Sequence, residues 1–153
     1  MKPWTFRDAE PADWPSITGL LSEAHLPLEG AHDRLGGFLL AFRGDDLVGC
    51  GCLERYQRTG LLRGIAVLPS ERGNGLGREL VGRLLESARR DALEMVVIIT
   101  ATASDYFRRF GFNHIERASV PVPLQNSLEY QITEGANILA LSLSGFGSRG
   151  RSK

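Results

Sequence analysis

The spacing of hydrophobic positions changes several times along the chain, and each spacing predicts one kind of element. Short segments that are continuously apolar, or that alternate apolar with polar residues, are typical of strands, whereas apolar residues every three or four positions are typical of one-faced helices. The strands predicted in this way are 4–7, 38–43, 47–56, 61–67, 95–100, 114–117 and 138–143. The predicted helices are 11–24, 76 to about 92 and 103–110, with a helical turn within 124–130.

The connections predict how these elements join. The glycine-containing loops 44–46 and 58–60 have the length of hairpin connections, so the strands around them form an antiparallel meander. A strand, a one-faced helix and the apolar strand 95–100 then follow in the order of a right-handed parallel crossover. The pattern therefore predicts one α/β (α+β) domain over 1–143, followed by a flexible tail at 144–153. Its sheet is mixed and mostly antiparallel, with about six or seven strands, a parallel central pair and flanking helices.

The short helix 103–110 carries signals at both of its ends. Thr102 and Asp105 have the spacing of a capping box, which predicts the start of the helix. Gly111 is suited to end the helix in left-handed geometry.

Composition excludes several function classes. The 153 residues include 18 basic and 18 acidic side chains, and the zero net charge argues against nonspecific binding of nucleic acid or a membrane surface. No apolar run approaches the roughly 20 residues of a membrane span, and the first residues lack the core of a signal peptide. Cys50 and Cys52 are too few for a disulfide framework or a zinc site. We therefore expect no metal and a reduced, cytoplasmic setting.

Glycines cluster where a strand is predicted to lead into a helix, in the segment 67–77. Such a loop directs free backbone N–H groups and the positive end of a helix dipole at one point, which favours an anion. Glycines permit close approach of the backbone to a ligand. The alternative is that these glycines only tighten the turn between the strand and the helix. Two common phosphate loops are excluded. A dinucleotide-binding fingerprint needs glycine at the position of Arg78, and a Walker loop needs a lysine, whereas the only lysines of the chain are Lys2 and Lys153.

The segment from Arg72 to Gly77 has the pattern Arg-x-x-Gly-x-Gly, and it resembles the acetyl-coenzyme-A pyrophosphate loop of the GCN5-related N-acetyltransferases (GNAT). Segments 6–17, 62–69 and 106–112 are similar to that family's first strand and helix, its cofactor strand and its late helix, in the same order. The likeness extends over about residues 3–143.

The resemblance implies a fold, a donor and a reaction. Strands 61–67 and 95–100 would splay apart, and acetyl-CoA would bind there and give its acetyl group by direct transfer to the primary amine of a small molecule. The cofactor residues that the resemblance implies are Ile65, Ala66, Val67, Arg72, Gly73, Asn74, Gly75, Leu76, Gly77, Arg78, Ser104 and Phe107. Dimers are frequent in the family, which leaves a monomer and a homodimer both open.

The catalytic positions depart from the family's pattern. Phe107 stands where members often carry a tyrosine acid, and Tyr106 is one residue earlier, so it is either a displaced acid or a structural aromatic. Leu61 stands where some members carry a glutamate base. Glu54, on the preceding strand, is the first candidate for a base; a cross-strand ion pair with Arg63 and a base relayed through water are the alternatives.

Several side chains are candidates for the acceptor site. Arg63 alternates with Leu61, Ile65 and Val67, which predicts that it shares their face of the strand and binds an acceptor's anionic group, the alternative being a structural ion pair. The other acceptor residues predicted are Arg55, His25 and Glu29, with His32 beside them; loop histidines are more often simply exposed.

Segments 53–56, 62–64 and 106–112 are similar to the members of the family encoded with arsenic-resistance genes. That group is similar to enzymes that acetylate phosphinothricin-like or arsenical amino acids, which implies an amino-acid-like acceptor with an anionic group. The second hypothesis is a binding module for CoA that has lost efficient chemistry and acts as a sensor or through a partner, because Leu61 and Phe107 occupy two positions that often carry catalytic groups.

Overall fold

The structure is a computed structural model, and it describes residues 4–26, 28, 36–133 and 135–143. The strands are β1 Trp4–Asp8, β2 Phe38–Arg43, β3 Asp46–Tyr56, β4 Thr59–Val67, β5 Met95–Thr100, β6 Asn113–His114 and β7 Asn137–Ser142. The helices are α1 Trp14–Glu23, α2 Leu76–Arg90, α3 Ser104–Arg108, α4 Val122–Gln125 and α5 Leu128–Ile132. The tail 144–153 lies outside the described residues, and the single domain predicted over 1–143 stays a prediction.

One seven-stranded sheet has the order β1-β2-β3-β4-β5-β7-β6. The pairs β1–β2, β2–β3, β5–β7 and β6–β7 are antiparallel, whereas β4 runs parallel to β5, with Thr59–Leu62 beside Met95–Ile98. The mixed sheet with a parallel central pair and flanking helices is therefore confirmed.

The chain divides into two compact units, of which the first is Met1–Leu53 with Arg63–Leu85. One of its core clusters packs α1 on the sheet; its members are Ile17, Leu20, Leu21, Phe38, Leu40, Cys50, Cys52 and Ala66. A second cluster seats the start of α2; its members are Trp4, Ala41, Val48, Leu76 and Leu80. Gly49 makes this seat possible, because a Cβ there would lie 3.0 Å from Leu76 Cδ2 and 3.2 Å from Leu80 Cδ1.

The second unit is Glu54–Leu62 with Glu86–Lys153. Its core joins Leu61 of β4 to β5, β7 and α4 through Val97, Ile99, Val120, Leu124, Ile138 and Ala140. Among the described residues, no helix has the length and apolar character that crossing a membrane requires.

Several predicted boundaries were wrong for local reasons. The predicted helix 11–24 begins as a 3-10 turn at Pro11–Asp13, and α1 starts only at Trp14. The expected capping box at the start of α3 does not form: the N-cap is Ala103, and it is the Thr100 hydroxyl that accepts hydrogen bonds from the backbone N–H groups of Thr102 and Ala103. Gly111 does end the segment in left-handed geometry, with φ of +99°.

Candidate functional site

The glycine loop adopts the geometry that an anion site needs. A 3-10 turn, Pro69–Glu71, follows β4, and Gly73 and Gly75 then have φ of +84° and +89°, values that glycine adopts without strain. Helix α2 begins at Leu76, and the backbone N–H of Glu79 donates to Gly75 O at 3.0 Å. The N–H groups of the first helical turn precede any intrahelical acceptor, so they are available to a ligand at the positive end of the helix dipole.

Two arginines flank this loop. Arg72 is exposed and folds back on β4, where its Nε donates to Val67 O at 3.2 Å. This contact already uses the carbonyl of Val67. Arg78 is exposed on the first turn of α2, where its charge reinforces an anion site.

Glu71 is a residue of this site that the sequence did not reveal. It ends the 3-10 turn directly before Arg72, and it is 6% exposed. Its carboxylate accepts hydrogen bonds from Trp4 Nε1 at 3.0 Å, Arg43 Nε at 2.7 Å and Arg43 Nη2 at 2.8 Å. The bonds from Arg43, and then the bond from Trp4, lower the pKa of Glu71 to about 2. No local pattern signals these partners, because they lie 28 and 67 residues away.

The cofactor strand β4 departs from extended geometry at Gly64, whose φ of +65° is left-handed. In the first unit, a Cβ on Gly51 would lie 2.6 Å from Ile65 Cδ1 and 2.9 Å from Leu84 Cδ1, so Ile65 lies on the side of α2. Leu61 belongs to the core cluster of the second unit. The common face predicted for Leu61, Arg63, Ile65 and Val67 stays a prediction.

The three residues of β4 that the resemblance assigns to cofactor binding differ in burial. Ile65 and Val67 are half-buried, and Ala66 lies in the core cluster of α1. The cofactor contacts that the resemblance implies for Ile65, Ala66 and Val67 stay predictions.

Glu54 and Arg63 are both buried charged residues on the central strands. Glu54 is 3% exposed, and the Tyr56 hydroxyl donates to its Oε1 at 2.6 Å. Arg63 is 4% exposed. Burial of charged groups at this depth requires polar partners.

Arg55 has partners that the sequence did not suggest. Its Nε donates to Asp91 Oδ2 at 2.9 Å and its Nη2 donates to the Ser87 hydroxyl at 3.0 Å, both at the end of α2. The predicted contact of Arg55 with an acceptor would compete with these bonds.

The late helix α3 holds Ser104, Tyr106 and Phe107. Ser104 Oγ is buried without a hydrogen-bond partner in the described part of the chain, so a polar ligand atom would satisfy it. Phe107 is buried, and its ring lies 5.9 Å from that of Phe112. Tyr106 is half-buried, with its ring edge-on to Phe107 at 5.1 Å and to Phe110 at 5.4 Å.

Of the predicted acceptor residues after α1, His25 is exposed and has a left-handed φ of 59°. Glu29 and His32 lie outside the described residues. Within the described ranges, no group of three or more His, Cys, Asp or Glu side chains could hold a metal ion.

The family model described as "Acetyltransferase (GNAT) family" matches residues 4–112, which include the whole glycine loop. The chain belongs to this family.

Two curated relatives are amino-acid acetyltransferases. The one from Mycobacterium tuberculosis (strain ATCC 25618 / H37Rv) is 39% identical over 75 residues, which cover 48% of this chain and 42% of the relative. The one from Aeromonas salmonicida (strain A449) is 25% identical over 96 residues, which cover 61% of this chain and 22% of the relative. The chain thus spans less than half the length of either.

Solved structures share the fold of this GNAT chain. Rv2747 from Mycobacterium tuberculosis, in complex with CoA and NLQ, is 27% identical with a TM-score of 0.74, over 91% of this chain and 99% of that one. N-acetylglutamate synthase from Neisseria gonorrhoeae, complexed with coenzyme A and N-acetyl-glutamate, is 20% identical with a TM-score of 0.81, over 94% of this chain and 36% of that one.

Proposed function

We propose that this chain transfers an acetyl group from acetyl-CoA to the primary amine of a small, amino-acid-like acceptor. The observation that carries the proposal is the loop from Arg72 to Gly77, in which two left-handed glycines open the N-terminus of α2. Its free N–H groups fit phosphate oxygens. The names of the curated relatives support an amino acid as the acceptor.

Acetyl-CoA supplies the acetyl group as a thioester, and the amine takes it up while the thiol is released. Backbone N–H groups from Arg72 to Gly77 bind the pyrophosphate, and Arg78 adds positive charge. Ile65 and Val67 offer backbone groups to the pantetheine arm, while Ser104 and Phe107 contact the thioester end.

Two side chains are proposed to move protons. The Glu54 carboxylate accepts the proton that the ammonium group must lose before its nitrogen attacks, and the bond from Tyr56 fixes the orientation of that carboxylate. The Tyr106 hydroxyl donates a proton to the departing thiolate, a role that is dispensable because a thiolate is a fair leaving group. The N–H of Val67 or a neighbour stabilises negative charge on the carbonyl oxygen.

The acceptor is proposed to carry an anionic group as well as its amine, in the manner of phosphinothricin or an arsenical amino acid. The guanidinium of Arg63 would bind that group, since a planar fork of donors matches a carboxylate or a similar oxyanion.

Thiol release from acetyl-CoA tests the function directly, across a panel of amino acids that includes phosphinothricin and simple amines without an acidic group. We expect turnover with amino acids and little with the simple amines. A protein whose melting temperature rises with acetyl-CoA, but which releases no thiol with any acceptor, would instead be the binding module considered above.

Arg63→Ala separates acceptor binding from cofactor binding, and Arg58→Ala is its matched control because Arg58 is exposed and pairs with Glu94 at 3.6 Å. We expect Arg63→Ala to raise the acceptor KM more than the acetyl-CoA KM, and Arg58→Ala to change both KM values much less. Equal effects of Arg63→Ala on the two KM values would assign this arginine to structure alone.

A further inference from the structure

Glu71 stands out because a charged side chain is buried beside an exposed loop. The residue is 6% exposed, while Arg72, Gly73 and Asn74, which follow it directly, are all exposed. Removing a carboxylate from water costs free energy unless donors replace the lost hydration. The structure provides those donors from outside the loop.

The donors come from two strands at the edge of the sheet. Arg43, the last residue of β2, approaches both carboxylate oxygens through Nε and Nη2, and Trp4, the first residue of β1, donates its indole N–H. A planar guanidinium that binds a carboxylate through two parallel bonds fixes its orientation as well as its position. The beginning of the glycine loop is thus tied to β1 and β2.

The end of the loop is held by the same part of the first unit. Leu76 is the first residue of α2 and is 1% exposed, and it packs in one cluster with Trp4 and Leu80. Trp4 therefore serves both ends, through its indole N–H toward Glu71 and through its apolar ring in the cluster that contains Leu76. Between these two anchors lie Gly73 and Gly75, the two left-handed glycines of the loop.

We infer that Glu71, held by Arg43 and Trp4, is a positioning residue that sets the glycine loop in its anion-binding conformation. This inference rests on the proposed function, since it assigns the loop to the pyrophosphate of CoA. A binding site whose supporting contacts are loose loses affinity even when every contact residue is present.

The sign of the effect separates positioning from simple electrostatics. Glu71→Gln removes a negative charge next to an anion site and leaves the charge of Arg43 in place. Electrostatics alone therefore predicts that CoA binds more tightly to this variant. Positioning predicts the opposite, because the amide keeps the size of the side chain but can accept only one of the two parallel bonds from Arg43.

Calorimetric titration with CoA, at a temperature well below unfolding, measures the difference. We expect Glu71→Gln to weaken CoA binding by about tenfold, as for the loss of a charge-assisted hydrogen bond. In turnover, the acetyl-CoA KM should rise by a similar factor, while kcat at saturating acetyl-CoA and the acceptor KM stay within about twofold of wild type. Trp4→Phe, which keeps an aromatic ring and removes the N–H, should weaken CoA binding in the same direction and serves if Glu71→Gln does not fold.

Asp13→Asn is the matched control. It removes the carboxylate of another arginine–carboxylate pair in the same unit, in which Arg7 Nη1 lies 2.8 Å from Asp13 Oδ2. Asp13 is more than fifty residues from the glycine loop along the chain. We expect its affinity for CoA to equal that of wild type. A folded Glu71→Gln protein that binds CoA as tightly as wild type, or more tightly, overturns the positioning role alone. A wild-type protein that does not bind CoA overturns the proposed function itself.

Discussion

The backbone conformation at Gly75 requires a glycine in the loop. Its φ of +89° lies in a region that residues with a side chain rarely adopt, and it directly precedes the first helical N–H groups of α2. We expect Gly75→Glu to abolish CoA binding, since the side chain strains the backbone and places negative charge against the pyrophosphate. Titration with CoA measures this effect.

The matched control for Gly75→Glu is Gly82→Glu, which adds the same charge to the same helix. Gly82 is exposed, and a Cβ built on it has no atom within 4 Å. We expect that variant to bind CoA within a factor of a few of wild type. Retained affinity in Gly75→Glu would show that the loop does not hold the pyrophosphate.

The same local chemistry predicts how acid affects stability. The folded-state pKa of Glu71 is lowered to about 2 by Arg43 and Trp4, so its stabilising contribution is complete above the carboxyl's ordinary pKa near 4.5 and is lost as pH falls toward 2. We expect the difference in unfolding free energy between wild type and Glu71→Gln to be constant from about pH 5 to 7 and to shrink between about pH 4.5 and 2. Urea unfolding at several pH values checks this, and a difference that does not vary across that acid range would contradict the assignment.

At the scale of elements, replacing a glycine by alanine should have opposite effects on stability inside a helix and in a strand on which a helix packs. Gly19 lies inside α1 with no atom within 4 Å of an added Cβ, so Gly19→Ala should stabilise the protein by about 0.5–1 kcal/mol through helix propensity. Gly51 lies in β3 beneath α2, where a Cβ would meet Ile65 Cδ1 at 2.6 Å and Leu84 Cδ1 at 2.9 Å. Gly51→Ala should therefore cost about 1–3 kcal/mol of stability. Urea unfolding of both variants tests the pair, and equal shifts would mean that α2 does not pack on Gly51 as described.

Periodicity predicted the elements well because burial of one face determines it. The strands 38–43 and 95–100 agree with β2 and β5 at both ends, and the parallel crossover between β4 and β5 follows from their order. The capping box expected from Thr102 and Asp105 does not form, because the Thr100 hydroxyl accepts from the backbone N–H of Thr102 that the Asp105 carboxylate would have taken.

The site was predictable only where its residues are consecutive. The loop from Arg72 to Gly77 could be read from its spacing, since glycine geometry and a helix start are local properties. Glu71 could not, because its value to the loop depends on Trp4 and Arg43, which only the paired strands β1 and β2 bring to it. Gly64 likewise looks like any strand residue in the sequence, and only the structure reveals its positive φ.

At the scale of the whole molecule, a net charge of zero conceals an uneven distribution. Residues 1–53 carry 4 basic and 8 acidic side chains, residues 54–90 carry 8 and 4, and residues 91–153 carry 6 and 6, which gives −4, +4 and 0. All basic side chains of segment 54–90 are arginines, and this segment contains the glycine loop. A local excess of this kind attracts a polyanion even though the protein as a whole is neutral.

This distribution predicts that salt weakens binding of CoA. Exposed Arg72 and Arg78 act across solvent, where the screening length falls from about 14 Å at 50 mM to about 4 Å at 500 mM salt. We expect the Kd for CoA to rise several-fold over that range. Acetyl-pantetheine, which lacks the phosphates, is the matched control ligand, and its Kd should change little because it gains nothing from the arginines. A CoA affinity independent of salt would mean that the uncharged N–H groups of the loop, held in place by Glu71, provide the recognition without help from the arginine excess.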